Sequence, residues 1–345
     1  MKAVGKLREG PGIDVFDFER PKPGPTEVLV EVKATGICGT DLHFYHWDDY
    51  ARKRNPGFPK VLGHEFSGIV VEVGEDVRSL KVGDKVAGEP HIPCGNCYYC
   101  RVGKAHICEN LRLYGVDTLY GSFTKYTILP ESIAVKIPDD IDFEIAALFE
   151  PFGVALHAVN DAEIRPGDVV VVLGCGPIGL YIQQLARISG ASKVVGVEVS
   201  RYRLELAAKI GVADELIDAS TTDPIKQVLK LTNGRGADVV IEASGSVVAI
   251  KNSLEIAAKS SRIVQVGTAS RYVEIDPNVF INKELRISGI FGRLMFDTWY
   301  KVIELVRSRK VNLLQVVTHK MSLEQAQEAF ELLTRGEAGK ILFIP

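Results

Sequence analysis

The chain has 345 residues, 46% of them apolar and 25% charged, with a formal net charge of −3. That length exceeds one typical core and predicts about two domains of a globular protein. The charge gives no global pull toward nucleic acid or anionic lipid, and no apolar run approaches the roughly 20 residues of a spanning helix. The expected partner is a small-molecule substrate, with no nucleic acid and no membrane.

The first ten residues, MKAVGKLREG, carry charges at Lys2, Lys6, Arg8 and Glu9 and lack an apolar core segment. A signal peptide needs that segment, so a cytoplasmic chain is expected. Thiols stay reduced there, and a tight cysteine cluster reads as metal-binding before it reads as disulfide-bonded.

Residues 1 to about 150 are punctuated by turn signals. PKPGPTEVLVEV (21–32) reads as a Pro/Gly turn and then a strand with Val28, Val30 and Val32 on one face. FSGIVVEVG (66–74), VGDKVAG (82–88) and SFTKYTIL (122–129) are further short strands, so this part is expected to be mostly β, a small barrel or sandwich. Between them lies HIPCGNCYYCRVGKAHIC (91–108), with Cys94, Cys97, Cys100 and Cys108. Four soft donors at C-x2-C-x2-C-x7-C spacing suit tetrahedral zinc, and a site closed by four protein ligands is structural. A [4Fe–4S] cluster is the competing reading.

From about 154 to 289 strands and helices alternate. Six strands are expected: 169–173, 193–198, 215–218, 237–243, 262–267 and 284–289, with helical segments such as IGLYIQQLARISG (178–190) and RYRLELAAKIG (201–211) between. Apolar β-branched strands separated by helices predict a parallel, doubly wound α/β sheet. Two helices (297–308 and 322–335) and a last strand, KILFI (340–344), follow and can rejoin the first domain.

Within VVVVLGCGPIGL (169–180), Gly174, Gly176 and Gly179 stand in G-x-G-x-x-G spacing, and Glu198 closes the next strand. Gly174 suits the tight turn, Gly176 close approach to a pyrophosphate, and Gly179 helix–sheet packing. The phosphates then meet the N–H groups of a helix N-terminus. A carboxylate at Glu198 favours the ribose hydroxyls of NAD over the 2′-phosphate of NADP, although Arg201 and Arg203 stand close by.

A second set of donors is scattered. ATGICGTDLHFYHW (34–47) offers Cys38, Thr40, Asp41, His43 and His46; His64 and Glu65 follow in VLGHEFSG (61–68), and Glu150 in ALFEPFGVALHAV (147–159). One thiolate, one imidazole and one or two carboxylates make an open zinc site conceivable, but no local spacing ties them together.

GICGTDLH, LGHEFSG, the four-cysteine lobe and GCGPIG follow one another as in the zinc-dependent medium-chain dehydrogenase/reductase family, which nearly the whole chain resembles. The resemblance implies a GroES-like catalytic domain from 1–153 and 290–345, a Rossmann NAD-binding domain from 154–289, and an active site in the cleft between them. It implies two zinc ions per subunit: a structural one on the four cysteines and a catalytic one on Cys38, His64 and Glu65 or Glu150. Thr40 and His43 match proton-relay positions, and Glu150 is a ligand or a further relay group. Ile178, Glu198, Arg203, Val266, Gly267, Thr268, Ile290 and Phe291 match cofactor contacts beside the three glycines. A homotetramer is implied as well.

GIFGRLMFDTWYKVIELV (289–306), FYHWDDY and GEPHIPCGNC are similar to the branch of that family that oxidises L-threonine to 2-amino-3-oxobutyrate with NAD. A polyol or other secondary-alcohol dehydrogenase is the alternative. For an amino-acid substrate, Arg293 is the candidate carboxylate partner and Glu150 or Asp48 the ammonium partner. His91, Trp47 and Trp299 are candidates for the pocket wall or for loop and core packing.

Overall fold

The computed structural model describes residues 1–269 and 271–345, and the chain divides into two compact units. The first comprises Met1–Glu150, Leu294–Arg307 and Val317–Pro345; the second comprises Pro151–Arg293 and Ser308–Val316. Among the described residues no helix is long and apolar enough to cross a membrane.

The first unit is mostly β. Its seven-stranded sheet runs Ala134–Lys136, Lys85–Gly88, Glu65–Val73, Glu27–Gly36, Lys340–Phe343 and Val317–Met321, with Tyr126–Pro130 also paired to Glu27–Gly36. Val28, Val30 and Val32 share a buried cluster with Phe66, Val70 and Val86, as the alternation predicts. Two register shifts along Glu27–Gly36 bend that strand, as a bulge does by leaving one residue unpaired. The last strand pairs antiparallel with the end of Glu27–Gly36, Leu342 opposite Gly36. Chain from the far C-terminus thereby completes this sheet.

The second unit holds a six-stranded parallel sheet in the order Glu215–Asp218, Lys193–Glu198, Val169–Leu173, Ala237–Glu242, Ala257–Gln265, Arg286–Gly289. Its core strands are continuous apolar runs because helices cover both faces. Pro177–Ile188 begins with Pro177 in its first turn, where a missing N–H costs nothing. Arg201–Ile210 is capped by the Ser200 hydroxyl and ends on Gly211 in the left-handed region. The fifth strand begins at Ala257, five residues ahead of the expected 262. Lys259, Ser260 and Ser261 conceal it, because that polar stretch carries a register shift against Ala237–Glu242.

Candidate active site

The cysteine lobe is built locally. His91–Ile92 pairs antiparallel with Arg112–Leu113 and closes the loop between them. Cys97 precedes the short helix Tyr98–Arg101, and Cys94, Cys97, Cys100 and Cys108 bring their sulfurs within 4.8 Å of one another. Cys97 Sγ lies 3.5 Å from Cys100 Sγ and 3.8 Å from Cys108 Sγ. A tetrahedron with Zn–S bonds of about 2.3 Å has edges of about 3.8 Å, so the four thiols fit that ion. The backbone N–H groups of Cys94 and Asn110 donate to Cys108 Sγ at 3.2 and 3.3 Å. Those of Asn96 and Cys97 pull the Cys94 thiol down to about 6, toward the thiolate a metal needs.

The scattered donors meet at one end of the large sheet. Gly36 lies opposite Glu65 in the antiparallel register, so Cys38, two residues beyond, approaches His64. Asp41 fixes the turn between, its Oδ2 accepting from Cys38 N–H at 2.9 Å at the head of the Gly39–His46 helix. His64 is buried and hydrogen-bonded to Cys38, with Asp41 and Glu150 as charged neighbours. Burial pushes the imidazole toward neutrality, but Cys38, Asp41 and Glu150 outweigh it and hold the His64 pKa up at about 10. A pocket that forces a proton onto a buried imidazole is one that calls for a cation. His64 Nδ1 and Asp41 Oδ1, 3.8 Å apart, are both buried without a hydrogen-bond partner. The donor set and this surplus of negative charge fit zinc.

Glu65 faces elsewhere. Its two carboxylate oxygens accept from Lys340 Nζ at 2.7 and 2.6 Å, and Lys340 also donates to Ile37 O at 2.9 Å. Burial pulls the Lys340 ammonium down, and Glu65 with Cys38 outweighs it, so its pKa stands above the ordinary lysine value. Among the described residues, no three of Cys38, His64, Glu65 and Glu150 hold their donor atoms mutually within 4.8 Å. Thr40 Oγ1 is 3.6 Å from Cys38 Sγ. His43 Nδ1 lies 2.5 Å from Asp48 Oδ2, and the Tyr50 ring packs against His43 at a tilt of 34°, with 4.8 Å between centroids. Burial raises Asp48, but bonds from His43 and the backbone of Ala51 and Tyr50 leave it below the usual carboxylate range. His46 is exposed.

Sequence reasoning missed two features of this unit. Lys340 stands as a lone charge at the head of an apolar run, and that mismatch was the available signal. Glu89, fully buried, accepts from Trp299 Nε1 at 2.6 Å and pairs with His91 Nδ1 at 2.6 Å. His91 and Trp299 are thus joined by one carboxylate, and Trp299 packs edge-on against Phe149, next to Glu150.

In the second unit the glycine turn has the shape expected of it. Gly174 takes φ +102°, and a Cβ on Gly179 would lie 1.9 Å from Gly174 O. A Cβ on Gly176 would meet nothing nearer than Arg203 at 4.0 Å, so the turn is open where a pyrophosphate would approach. Arg203 Nε is buried with no hydrogen-bond partner. Glu198 accepts from the N–H groups of Cys175, Val199 and Ser200 at 2.8, 2.8 and 3.0 Å. Cys175 is buried and takes a hydrogen bond from Gln183 Nε2 at 3.3 Å, a packing role. Ile178 lies in the first turn of the helix after the glycines; Val266, Gly267 and Thr268 follow the fifth strand, and Ile290 and Phe291 the sixth. All lie past the C-terminal ends of parallel strands, where open α/β sheets bind ligands. Arg293 is buried, not a solvated surface charge.

A cysteine-lobed β unit and a parallel sheet with a dinucleotide turn, on one chain, define a metal-dependent nicotinamide dehydrogenase. Residues 24–139 match the alcohol dehydrogenase GroES-like domain and residues 177–308 match the zinc-binding dehydrogenase family. The chain belongs to the zinc-dependent medium-chain dehydrogenase family, the fold being a GroES-like unit with a Rossmann sheet. It is 41% identical over 347 residues to the L-threonine 3-dehydrogenase of Thermococcus kodakarensis, covering 100% of this chain and 98% of the relative. To the L-threonine 3-dehydrogenase of Caldanaerobacter subterraneus it is 43% identical, covering 100% and 99%. An alcohol dehydrogenase structure from Thermus sp. ATN1 superposes with a TM-score of 0.90 at 32% identity, covering 100% of this chain and 99% of that one.

Proposed function

We propose that the protein oxidises the C3 hydroxyl of L-threonine to the ketone of 2-amino-3-oxobutyrate, with NAD as the hydride acceptor. The observation that carries the substrate is the end-to-end similarity, at about 40% identity, to L-threonine 3-dehydrogenases. The chemistry rests on the anionic pocket around His64 and on the open glycine turn.

In this reading Cys38, His64 and Glu150 hold the catalytic zinc, Glu65 is an exchangeable ligand kept in reserve by Lys340, and the four cysteines hold a structural zinc. Zinc there supplies Lewis acidity toward the substrate hydroxyl, and the nicotinamide ring supplies the hydride acceptor. The chain's own residues handle the proton. Thr40, beside Cys38, accepts it from the substrate hydroxyl, and His43 passes it to solvent. Asp48 fixes the His43 ring. Arg293 is the candidate partner for the substrate carboxylate. Glu198, already fixed by three N–H groups, favours a free ribose 2′-hydroxyl and hence NAD over NADP. The GroES-like part (1–153 and 290–345) carries the metals, the Rossmann part (154–289) the cofactor. A cytoplasmic homotetramer completes the reading.

The test is NADH formation with L-threonine against sorbitol, xylitol, butane-2,3-diol and simple alcohols. Turnover of L-threonine well above the rest is expected. NADH appearing with a sugar alcohol and not with L-threonine overturns the reading.

A further inference from the structure

The C-terminal edge of the parallel sheet holds a second buried carboxylate besides Glu198. Glu242 ends the Ala237–Glu242 strand with no exposed surface. Its Oε1 accepts from Ser244 N–H at 2.9 Å and from the Ser244 hydroxyl, and its Oε2 accepts from Gln265 Nε2 at 2.7 Å. The N–H of Gly245 reaches both oxygens, at 3.1 and 3.0 Å. The backbone carbonyl of Glu242 accepts from Val266 and Gly267 N–H at 2.8 and 3.0 Å. Gln265 also donates to Gly267 O at 2.6 Å.

Glu242 therefore ties the loop after the fourth strand to the loop after the fifth. The two loops touch with no room to spare. A Cβ on Gly267 would lie 2.1 Å from Gly245 N and 2.7 Å from Glu242 Oε2, and one on Gly245 would lie 2.4 Å from Thr268 O. The first loop also abuts the glycine turn, since Ser244 Cβ is 3.0 Å from where a Gly174 Cβ would sit. A buried carboxylate satisfied by loop N–H and hydroxyl donors and one strand-end amide is a demanding arrangement, because losing one leaves charge unpaired.

The strand order turns back between Val169–Leu173 and Ala237–Glu242, and a dinucleotide lies across that switch point. Glu198, on the strand beside Val169–Leu173, marks the adenosine side. The nicotinamide half then lies over the strands ending in Glu242, Gln265 and Gly289. We infer that Glu242 is the positioning residue for the nicotinamide half of the cofactor, holding residues 244–245 and 266–268 in one binding surface. This rests on the dinucleotide reading above.

The test is equilibrium binding of NADH and of AMP to the zinc-loaded full chain, wild type against Glu242→Gln. Glutamine keeps the size but must turn its NH2 toward donors. A rise of tenfold or more in the Kd for NADH is expected, with the Kd for AMP within twofold, because AMP uses only the Glu198 side. A general loosening of the unit would weaken both ligands together. Gln265→Leu, which removes the one side-chain amide donating to both Glu242 Oε2 and Gly267 O, should show the same pattern at about threefold, and it decides alone if Glu242→Gln does not fold. Equal loss of NADH and AMP, or unchanged NADH affinity, overturns the inference. A wild-type chain that binds AMP but neither NADH nor NADPH overturns the dinucleotide reading itself, and this inference with it.

Discussion

Lys340→Met isolates the buried Glu65–Lys340 pair. Both side chains are at most 5% exposed, and Nζ lies 2.6 Å from Oε2. At an effective dielectric of about 20, charges at that distance attract by about 6 kcal/mol. Removing the lysine strands Glu65, and breaking a buried pair from one side costs about 3–5 kcal/mol. The variant should therefore lose about 3–5 kcal/mol. Both tryptophans, Trp47 and Trp299, belong to the first unit, so their emission during urea unfolding reports the unit that holds the pair. The double variant Lys340→Met/Glu65→Gln, which strands no charge, should regain at least half of the loss. A loss below about 1 kcal/mol, or a double variant less stable than the single one, refutes the reasoning.

Cys97→Ser removes one of four thiolates; metal analysis should show one zinc fewer per chain, with thermal stability falling before NADH binding does. In the proposed reading zinc displaces the proton that His64 keeps up to about pH 10. That raised pKa stabilises the metal-free fold fully below about pH 6.5, and the contribution fades as pH climbs toward 10. Zinc affinity at this site should hence rise at least tenfold per pH unit between about 7 and 9, measured by chelator competition; a flat profile refutes it. Gly179→Ala puts a methyl group 1.9 Å from Gly174 O, so the turn must open. NADH affinity should drop at least tenfold, read by fluorescence titration, with the zinc content of the wild type retained.

The features that were legible in the sequence are the local ones. The cysteine spacing and the glycine turn each fit in one loop, and the six parallel strands show because burial on both faces leaves continuous apolar runs. Only the fifth strand was misplaced, at the polar residues Lys259–Ser261 where its register slips. What the sequence concealed are pairings set by tertiary register. Glu65 and Lys340 are 275 residues apart, and Glu89 and Trp299 are 210 apart. No periodicity links such positions. The register that brings Glu65 and Lys340 together is fixed only when the last strand docks on Glu27–Gly36.

That docking has a consequence for the metal pocket. Leu342 lies opposite Gly36, two residues from Cys38, and Lys340 reaches from the same strand to Ile37 O and to Glu65. The C-terminal strand thus supplies a buried cation that pairs with Glu65 and acts on Cys38 and Glu150 as well. Without it the Glu65 carboxylate would be buried with no cation paired to it. With it, Glu65 is paired with Lys340, and Cys38, Asp41 and Glu150 remain the groups that act on His64. In the proposed reading, this distant lysine takes one carboxylate out of the contest for the metal at His64.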